Sequence, residues 1–179
     1  VELVRVHASG TLGGHLTPGR LSWPPRNAEP VDPDEFYTHL AGLGYQYGPA
    51  FRGVRALWRG DDELFAEVSV PDGAPFGIHP ALLDAALQPL ILLGPDTRLR
   101  LPFSFSGVGV HRAGALAARV HLTRTGTDGY RATLTDLSGN PVADITTLTV
   151  RPAAESRTAV LHTEWVPHAA ATPIDVVPS

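Results

Sequence analysis

The residues best suited to chemistry are a carboxylic acid and a carboxamide four positions apart, Asp84 and Gln88. On a helix, side chains at this spacing share a face, so the amide can hydrogen-bond and orient the carboxyl. Burial raises the pKa of a carboxyl, and an acid that is neutral near pH 7 can donate a proton. The pair therefore indicates a general acid. The alternative is a buried Asp that only caps a helix or binds backbone.

The segment that carries this pair is otherwise apolar. Leucine, isoleucine and alanine fill nearly all positions from 81 to 93. This pattern is typical of a helix that is enclosed on all sides. Pro89 removes one backbone hydrogen bond, so it should kink or end the helix near its middle. We expect a buried central helix that is interrupted at Pro89.

Strand-like segments lie on both sides of this helix in the sequence. Two of them, within residues 51–70, flank a turn at 60–62 and predict a hairpin. Four more follow the helix, at 103–111, 116–124, 130–136 and 141–150, each ended by Gly, Asp or Asn. An apolar helix must be covered, so an antiparallel sheet wrapped around one long helix is expected, which is an α+β fold.

A second, shorter helix precedes the hairpin. Residues 32–35 supply an N-cap Asp, a proline at the first helical position and an acid at the third. Apolar residues at helical spacing follow, and Gly42 and Gly44 are stop signals. Upstream, residues 13–30 are rich in Gly and Pro and predict a linker.

Composition excludes several classes of protein. The 179 residues are 43% hydrophobic and 18% charged, which suits one globular domain with a fragment of a neighbour. A net charge of −4 argues against nucleic-acid binding, and the longest apolar run is too short to span a membrane. The absence of cysteine excludes disulfides and thiolate sites and fits a cytoplasmic location. With no phosphate-binding loop, serine-hydrolase elbow or metal-spaced cluster, we predict no bound cofactor and no metal.

Three motifs together resemble the dehydratase domains of modular type I polyketide synthases. They are residues 44–51 (GYQYGPAF), 79–88 (HPALLDAALQ) and 101–108 (LPFSFSGV), in the order and spacing of that family. The resemblance covers about residues 1–152 and implies half of a double hotdog fold. Residues 31–152 would be the C-terminal hotdog, residues 1–12 the closing strand of the N-terminal one, and 13–30 the linker. Residues 153–179 are similar to the linker and first strand of a ketoreductase structural subdomain.

The resemblance also implies a reaction, the removal of water from a (3R)-hydroxyacyl chain held by phosphopantetheine on an acyl carrier protein. Asp84 would be the acid, Gln88 its orienting partner, and Tyr47 a hydrogen-bond donor to the β-oxygen. The expected substrate contacts are Gly48, Pro49, Phe51, His79, Pro80, Leu101, Pro102 and Phe103. Gly48 and Pro49 are expected to let backbone approach the substrate closely. The partners would be the N-terminal hotdog half, the carrier protein and an adjacent ketoreductase, in a homodimeric synthase of antibiotic biosynthesis.

The base of the family reaction is not predicted to lie within this sequence. In the family it is a histidine in an H-x-x-x-G-x-x-x-x-P motif of the N-terminal hotdog. Residues 15–24 (HLTPGRLSWP) fit this spacing, but they fall in the predicted linker at 13–30 rather than within a hotdog. His7 has the wrong spacing, His15 lies in the predicted linker and is predicted to lie on the surface, and His79 is predicted to frame the start of the central helix. The chain would therefore supply only the acid and be inactive alone, as befits a sequence that begins inside a strand without Met.

Two alternatives stay open. The first is a non-catalytic dehydratase remnant that acts as a scaffold. The second is a single-hotdog thioesterase or hydratase that dimerises and takes its base from His15 or His79. The presence of Asp84, Gln88 and Tyr47 together favours the catalytic half.

Overall fold

The computed structural model describes residues 9–11, 21–72, 76–94 and 100–153. Most of the predicted closing strand at 1–12, including His7, lies outside these residues, and so do His15 and nearly all of the ketoreductase-like tail. The hotdog region predicted at 31–152 is described apart from residues 73–75 and 95–99.

The described chain forms one antiparallel sheet of seven strands with two short α-helices. The strands are β1 (Glu29–Val31), β2 (Val54–Arg59), β3 (Glu63–Ser69), β4 (Arg100–Val110), β5 (Ala117–Arg124), β6 (Gly129–Thr135) and β7 (Pro141–Pro152). Their order across the sheet is β1-β2-β3-β5-β6-β7-β4, so β1 and β4 are the edges. The helices are α1 (Pro33–Gly42) and α2 (Pro80–Leu87), and single 3₁₀ segments span Pro49–Phe51 and Gln88–Leu93.

All six predicted strands are present, with ends that differ by a few residues. The seventh strand, β1, corrects the predicted linker at 13–30, because the first two residues of β1 belong to that segment. It has only three residues, one of them proline, and therefore shows no strand periodicity. The strand β1 forms by pairing with β2, with Glu29 opposite Arg59 and Val31 opposite Leu57.

The helix α1 begins as the sequence predicts. The Oδ1 atom of Asp32 accepts hydrogen bonds from the backbone N–H groups of Asp34 at 2.8 Å and Glu35 at 3.1 Å. These bonds satisfy donors that have no partner inside the helix. The helix buries Phe36, Tyr37 and Leu40 against β2. This packing fixes the position of the Tyr37 side chain, which matters at the site below.

The helix α2 carries the Asp84 and Gln88 pair. It begins at His79, whose Nδ1 accepts a hydrogen bond from the N–H of Ala81 at 3.2 Å. The α-helix ends at Leu87, and the chain continues as a 3₁₀ segment that contains Pro89, which confirms the predicted interruption. The helix packs against β3 and β5 and buries Leu82, Ala85 and Ala86 completely.

The prediction that this helix is enclosed on all sides is wrong for the described chain. Leu83, Asp84 and Leu87 are only half-buried, as are Ile91 and Leu92 in the following turn. The sheet covers one side of α2, and the other side carries leucines without being covered to the same extent. Hydrophobic residues on a surface of this kind are typical of an interface. Asp84 lies on this less covered side.

The edge strand β4 exposes a row of apolar side chains. About half of the surface of each of these side chains is accessible, and they are Leu101, Phe103, Phe105, Val108 and Val110. An unpaired edge with apolar residues readily pairs with another chain or aggregates. We expect this strand to be covered in the functional protein.

Gly107 in β4 is required by its backbone conformation. Residues other than glycine rarely adopt its φ of +60°, and an added Cβ would lie 2.5 Å from Thr146 Oγ1. Gly107→Ala should therefore lower the free energy of unfolding by roughly 1–3 kcal/mol, measured by urea unfolding. Gly42→Ala is the matched control, because a Cβ at that helix end meets no atom within 4 Å. Equal stability of the two variants would contradict this explanation.

Candidate active site

A cavity of about 100 Å³ lies between α2 and the beginning of β4. Of the predicted site residues, Asp84, Gln88, Tyr47, Leu101 and Pro102 line it. Most of its remaining wall is aliphatic and aromatic, including Leu90, Ile91, Tyr130 and Val150. A mostly apolar cavity with a few convergent polar groups is typical of a small-molecule site.

The acid and amide are in direct contact. Gln88 Nε2 donates a hydrogen bond to Asp84 Oδ2 at 2.8 Å, which confirms the expected pairing across one helical turn. Gln88 itself is only 6% exposed. The amide therefore holds the carboxyl from the buried side.

Further hydrogen bonds fix the amide of Gln88. Its Nε2 also donates to the carbonyl oxygen of Phe51 at 2.8 Å, and its Oε1 accepts from the Tyr37 hydroxyl at 2.9 Å. The Tyr37 oxygen in turn accepts from the N–H of Val54 at 3.0 Å. Both donors of the amide and its acceptor are thus used. The chain of bonds links α1, α2 and the beginning of β2.

Tyr37 is a site residue that sequence reasoning missed. The periodicity of α1 identified it as one of several apolar positions, and nothing in that pattern indicates a partner 51 residues away. The available signal is chemical, because a buried tyrosine hydroxyl needs a hydrogen-bond partner. That requirement predicts a polar contact, although it does not say which one.

Burial raises the pKa of Asp84, and the hydrogen bond from Gln88 offsets part of this rise. The pKa of Tyr47 is also raised, first by burial and then by the nearby charge of Asp84. Both effects favour the neutral forms of these groups. The environment of the cavity thus favours the proton-bearing form of each group.

A tyrosine pair forms one wall of the cavity. The rings of Tyr45 and Tyr47 stack with centroids 6.2 Å apart and planes 10° from parallel. The Tyr45 hydroxyl donates to the Arg100 carbonyl oxygen at 2.8 Å and accepts from the Arg100 N–H at 2.7 Å. Arg100 begins β4, and its guanidinium pairs with Asp128. These bonds tie the tyrosine loop to the strand that supplies Leu101 and Pro102.

The turn at Gly48 and Pro49 adjoins the site without lining the cavity. Gly48 precedes the 3₁₀ segment with a φ of −70°, and an added Cβ would meet no atom within 4 Å. The fold of this chain therefore does not itself require glycine there, and close approach of substrate to this backbone stays a prediction. The ring of Phe51 is exposed, and this residue reaches the site through its carbonyl oxygen.

The remaining predicted contacts lie away from the cavity wall. His79 uses Nδ1 to cap α2, as the framing role predicts, and its ring contacts Phe76 edge-on at 5.8 Å. Pro80 is exposed at the first helical position. Phe103 lies at a bulge of β4 and is 58% exposed, with the Arg151 guanidinium 3.5 Å from its ring centroid. None of these three residues lines the cavity.

No histidine lines the cavity among the described residues. The same residues contain no group of three or more His, Cys, Asp or Glu side chains that could hold a metal ion. They also include no helix that is long and apolar enough to cross a membrane.

Comparison with known proteins assigns the chain to a family. The family model described as "Polyketide synthase dehydratase N-terminal domain" matches residues 15–159. Polyketide synthase GfsE of Streptomyces halstedii is 45% identical over 185 aligned residues, which cover 90% of this chain and 5% of GfsE. The chain belongs to the dehydratase family of modular polyketide synthases.

Solved structures of dehydratases share the fold. The erythromycin dehydratase is 40% identical with a TM-score of 0.69, and the match covers 76% of this chain and 51% of that one. A dehydratase structure from work on substrate selection for the borrelidin and fluvirucin polyketide synthases is also 40% identical, with a TM-score of 0.72 over 78% of this chain and 53% of that one. The fold is thus the hotdog of these dehydratases, and the chain spans about half the length of these two.

Proposed function

We propose that this chain is the acid-bearing half of a dehydratase that acts on a (3R)-hydroxyacyl chain of an acyl carrier protein. The observation that carries the proposal is Asp84, a half-buried carboxyl with a raised pKa, held by Gln88 at 2.8 Å in a mostly apolar cavity. Membership of the dehydratase family supplies the reaction class.

The chemistry needs an acid and a base on one substrate. The base takes the α-proton, the electrons of that C–H bond form the α,β double bond, and the β C–O bond breaks. Asp84 gives its proton to the departing hydroxyl, which leaves as water. The neutral Tyr47 hydroxyl donates a hydrogen bond to the β-oxygen as its negative charge grows.

The base would come from the other half of the domain. No described histidine lines the cavity, and the match to the spacing of the family's histidine motif, at residues 15–24, falls in the predicted linker. The structural matches cover about half of the two dehydratase chains, which leaves room for a second hotdog that supplies the histidine. We assign this chain to the C-terminal half on the strength of its three motifs, although the matching family model is named for an N-terminal domain.

The wall at Leu101 and Pro102 would hold the acyl chain, and the substrate would reach it on the phosphopantetheine arm of the carrier protein. Contacts at Gly48, Pro49, Phe51, His79, Pro80 and Phe103 stay predictions for parts of the substrate that extend beyond the cavity. An adjacent ketoreductase, a homodimeric synthase and a cytoplasmic location likewise stay proposals.

The two alternatives have less support. A non-catalytic scaffold does not need the hydrogen bonds that fix Gln88 and Asp84. A single-hotdog enzyme would need a base within this chain, and His79 lies outside the cavity with Nδ1 engaged in capping α2. His15 lies outside the described residues.

The direct test uses the complete dehydratase domain that contains this chain. We expect it to dehydrate a (3R)-hydroxyacyl carrier protein, with loss of water followed by mass spectrometry. Hydrolysis of the thioester without dehydration would instead support a thioesterase, and absence of both reactions would support the scaffold.

Removing the amide of Gln88 should slow the reaction less than removing the acid. Gln88→Ala should lower kcat by about 10- to 50-fold, the equivalent of one hydrogen bond to a charged or reacting group. Combining it with Asp84→Asn should cost little beyond Asp84→Asn alone, because the two residues act as a unit. Gln46→Ala, which removes an exposed amide nearby, is the control. Effects of Gln88→Ala and Asp84→Asn that multiply would show that the pair is uncoupled.

A further inference from the structure

Tyr37 lies at the far end of the hydrogen bonds that hold the acid. It is 6% exposed on α1, and its hydroxyl lies between the backbone N–H of Val54 and the side chain of Gln88. It does not line the cavity that contains Asp84. Any effect of Tyr37 on the reaction must therefore pass through another residue.

The directions of these bonds follow from the one group that can only donate. The N–H of Val54 has no lone pair, so the Tyr37 oxygen accepts from it at 3.0 Å. The single hydroxyl proton of Tyr37 is then free to bond only to an acceptor, which requires Gln88 Oε1 on that side. The Nε2 of Gln88 must consequently face the other way, toward Asp84 Oδ2 and the Phe51 carbonyl oxygen, both of which are acceptors.

We propose that Tyr37 is a positioning residue for the acid, because it fixes the Gln88 amide so that the Asp84 proton is held on Oδ1. Oδ2 already accepts from Nε2, so when Asp84 is protonated its proton lies on the oxygen that the amide does not occupy. The inference rests on the proposed dehydration, in which that proton is given to the departing hydroxyl.

Without the Tyr37 hydroxyl, the amide loses the contact that sets its orientation. A rotated amide would present Oε1 to Asp84, and a neutral carboxyl would donate its proton to that oxygen. The proton would then point away from the substrate. The carboxyl would also lose the N–H donor that lowers its pKa.

Other titratable and charged groups around the pair stay in place when only this hydroxyl is removed. They are Tyr45 and Tyr47 in the loop, Arg100 at the beginning of β4, and Arg52, whose guanidinium is 4.7 Å from the centre of the Tyr37 ring. The ring of Tyr37 is itself retained in a phenylalanine. A shift in the pKa of Asp84 would thus report on the orientation of the Gln88 amide.

The experiment compares Tyr37→Phe, Gln88→Ala and the double variant in the complete dehydratase domain. We expect Tyr37→Phe to lower kcat about tenfold, with KM within about twofold of the wild type and the alkaline limb of the pH profile displaced upward. The double variant should match Gln88→Ala within about twofold, because the proposed effect of the Tyr37 hydroxyl passes through Gln88. Carbon-13 NMR of labelled aspartate should show a higher pKa for Asp84 in both single variants, a readout that needs no turnover.

Phe36→Leu is the matched control for loosening of α1. It alters the neighbouring buried aromatic on the same helix and touches none of these hydrogen bonds. An equal fall of kcat in Phe36→Leu would overturn the proposal. An unchanged Asp84 pKa in Tyr37→Phe, or losses that multiply in the double variant, would overturn it as well. A domain in which Asp84→Asn keeps full activity would instead refute the proposed function, whereas the NMR result would still decide the role of Tyr37.

Discussion

Replacing Asp84 by Asn in the complete dehydratase domain should reduce kcat by at least ~100-fold, the usual cost of a lost general acid. The substitution keeps the shape of the side chain and an oxygen that can accept from Gln88, yet an amide cannot give up a proton as an acid. The binding cavity should be unchanged, so KM should stay within a few-fold of the wild type. Steady-state rates with a hydroxyacyl carrier protein measure both values.

The pH dependence gives this prediction a second test. Asp84 must be protonated to act, so the rate should fall as pH rises through its pKa, which burial raises above the ordinary aspartate value. The residual activity of Asp84→Asn should lack that alkaline limb. Asp61→Asn makes the same chemical change at an exposed turn and should behave as the wild type. A wild-type rate in Asp84→Asn would remove this residue from the mechanism.

The sequence predicts the acid pair well because its two members are close in the chain. A spacing of four residues on a helix fixes the contact between Asp84 and Gln88 whatever surrounds them. Tyr37 could not be predicted in the same way, because its contact with Gln88 depends on how α1 packs against β2. Local periodicity contains no information about that packing.

The errors in the predicted fold have a similar cause. An apolar pattern around α2 shows that the helix must be covered, but it does not show what covers it. Here the sheet covers one side, and the half-buried Leu83 and Leu87 remain on the other. The strand β1 exists only because it pairs with β2, and its three residues carry no pattern of their own.

Exposed apolar residues on β4 and α2 bear on how this chain should behave by itself. Phe103, Phe105 and Val108 lie on an edge strand of the sheet formed by the described residues, and Leu83 and Leu87 are incompletely covered. We expect the isolated chain to aggregate readily for this reason. The cavity at Asp84 and Tyr47 is nevertheless formed by the described residues themselves, so it should still admit a substrate.

We therefore expect this chain alone to show no turnover, in contrast to the complete dehydratase domain. It should bind a stable 3-hydroxyacyl thioester analogue but release no water from a hydroxyacyl carrier protein, because no histidine of the described residues lines the cavity to take the α-proton. Incubation followed by mass spectrometry tests this, with the complete domain as the positive control. Adding the N-terminal half in trans should restore dehydration if the halves reassemble. Dehydration by the chain alone that is abolished by His15→Ala or His79→Ala would refute the half-site and establish a single-hotdog enzyme, because the base would then lie within these 179 residues.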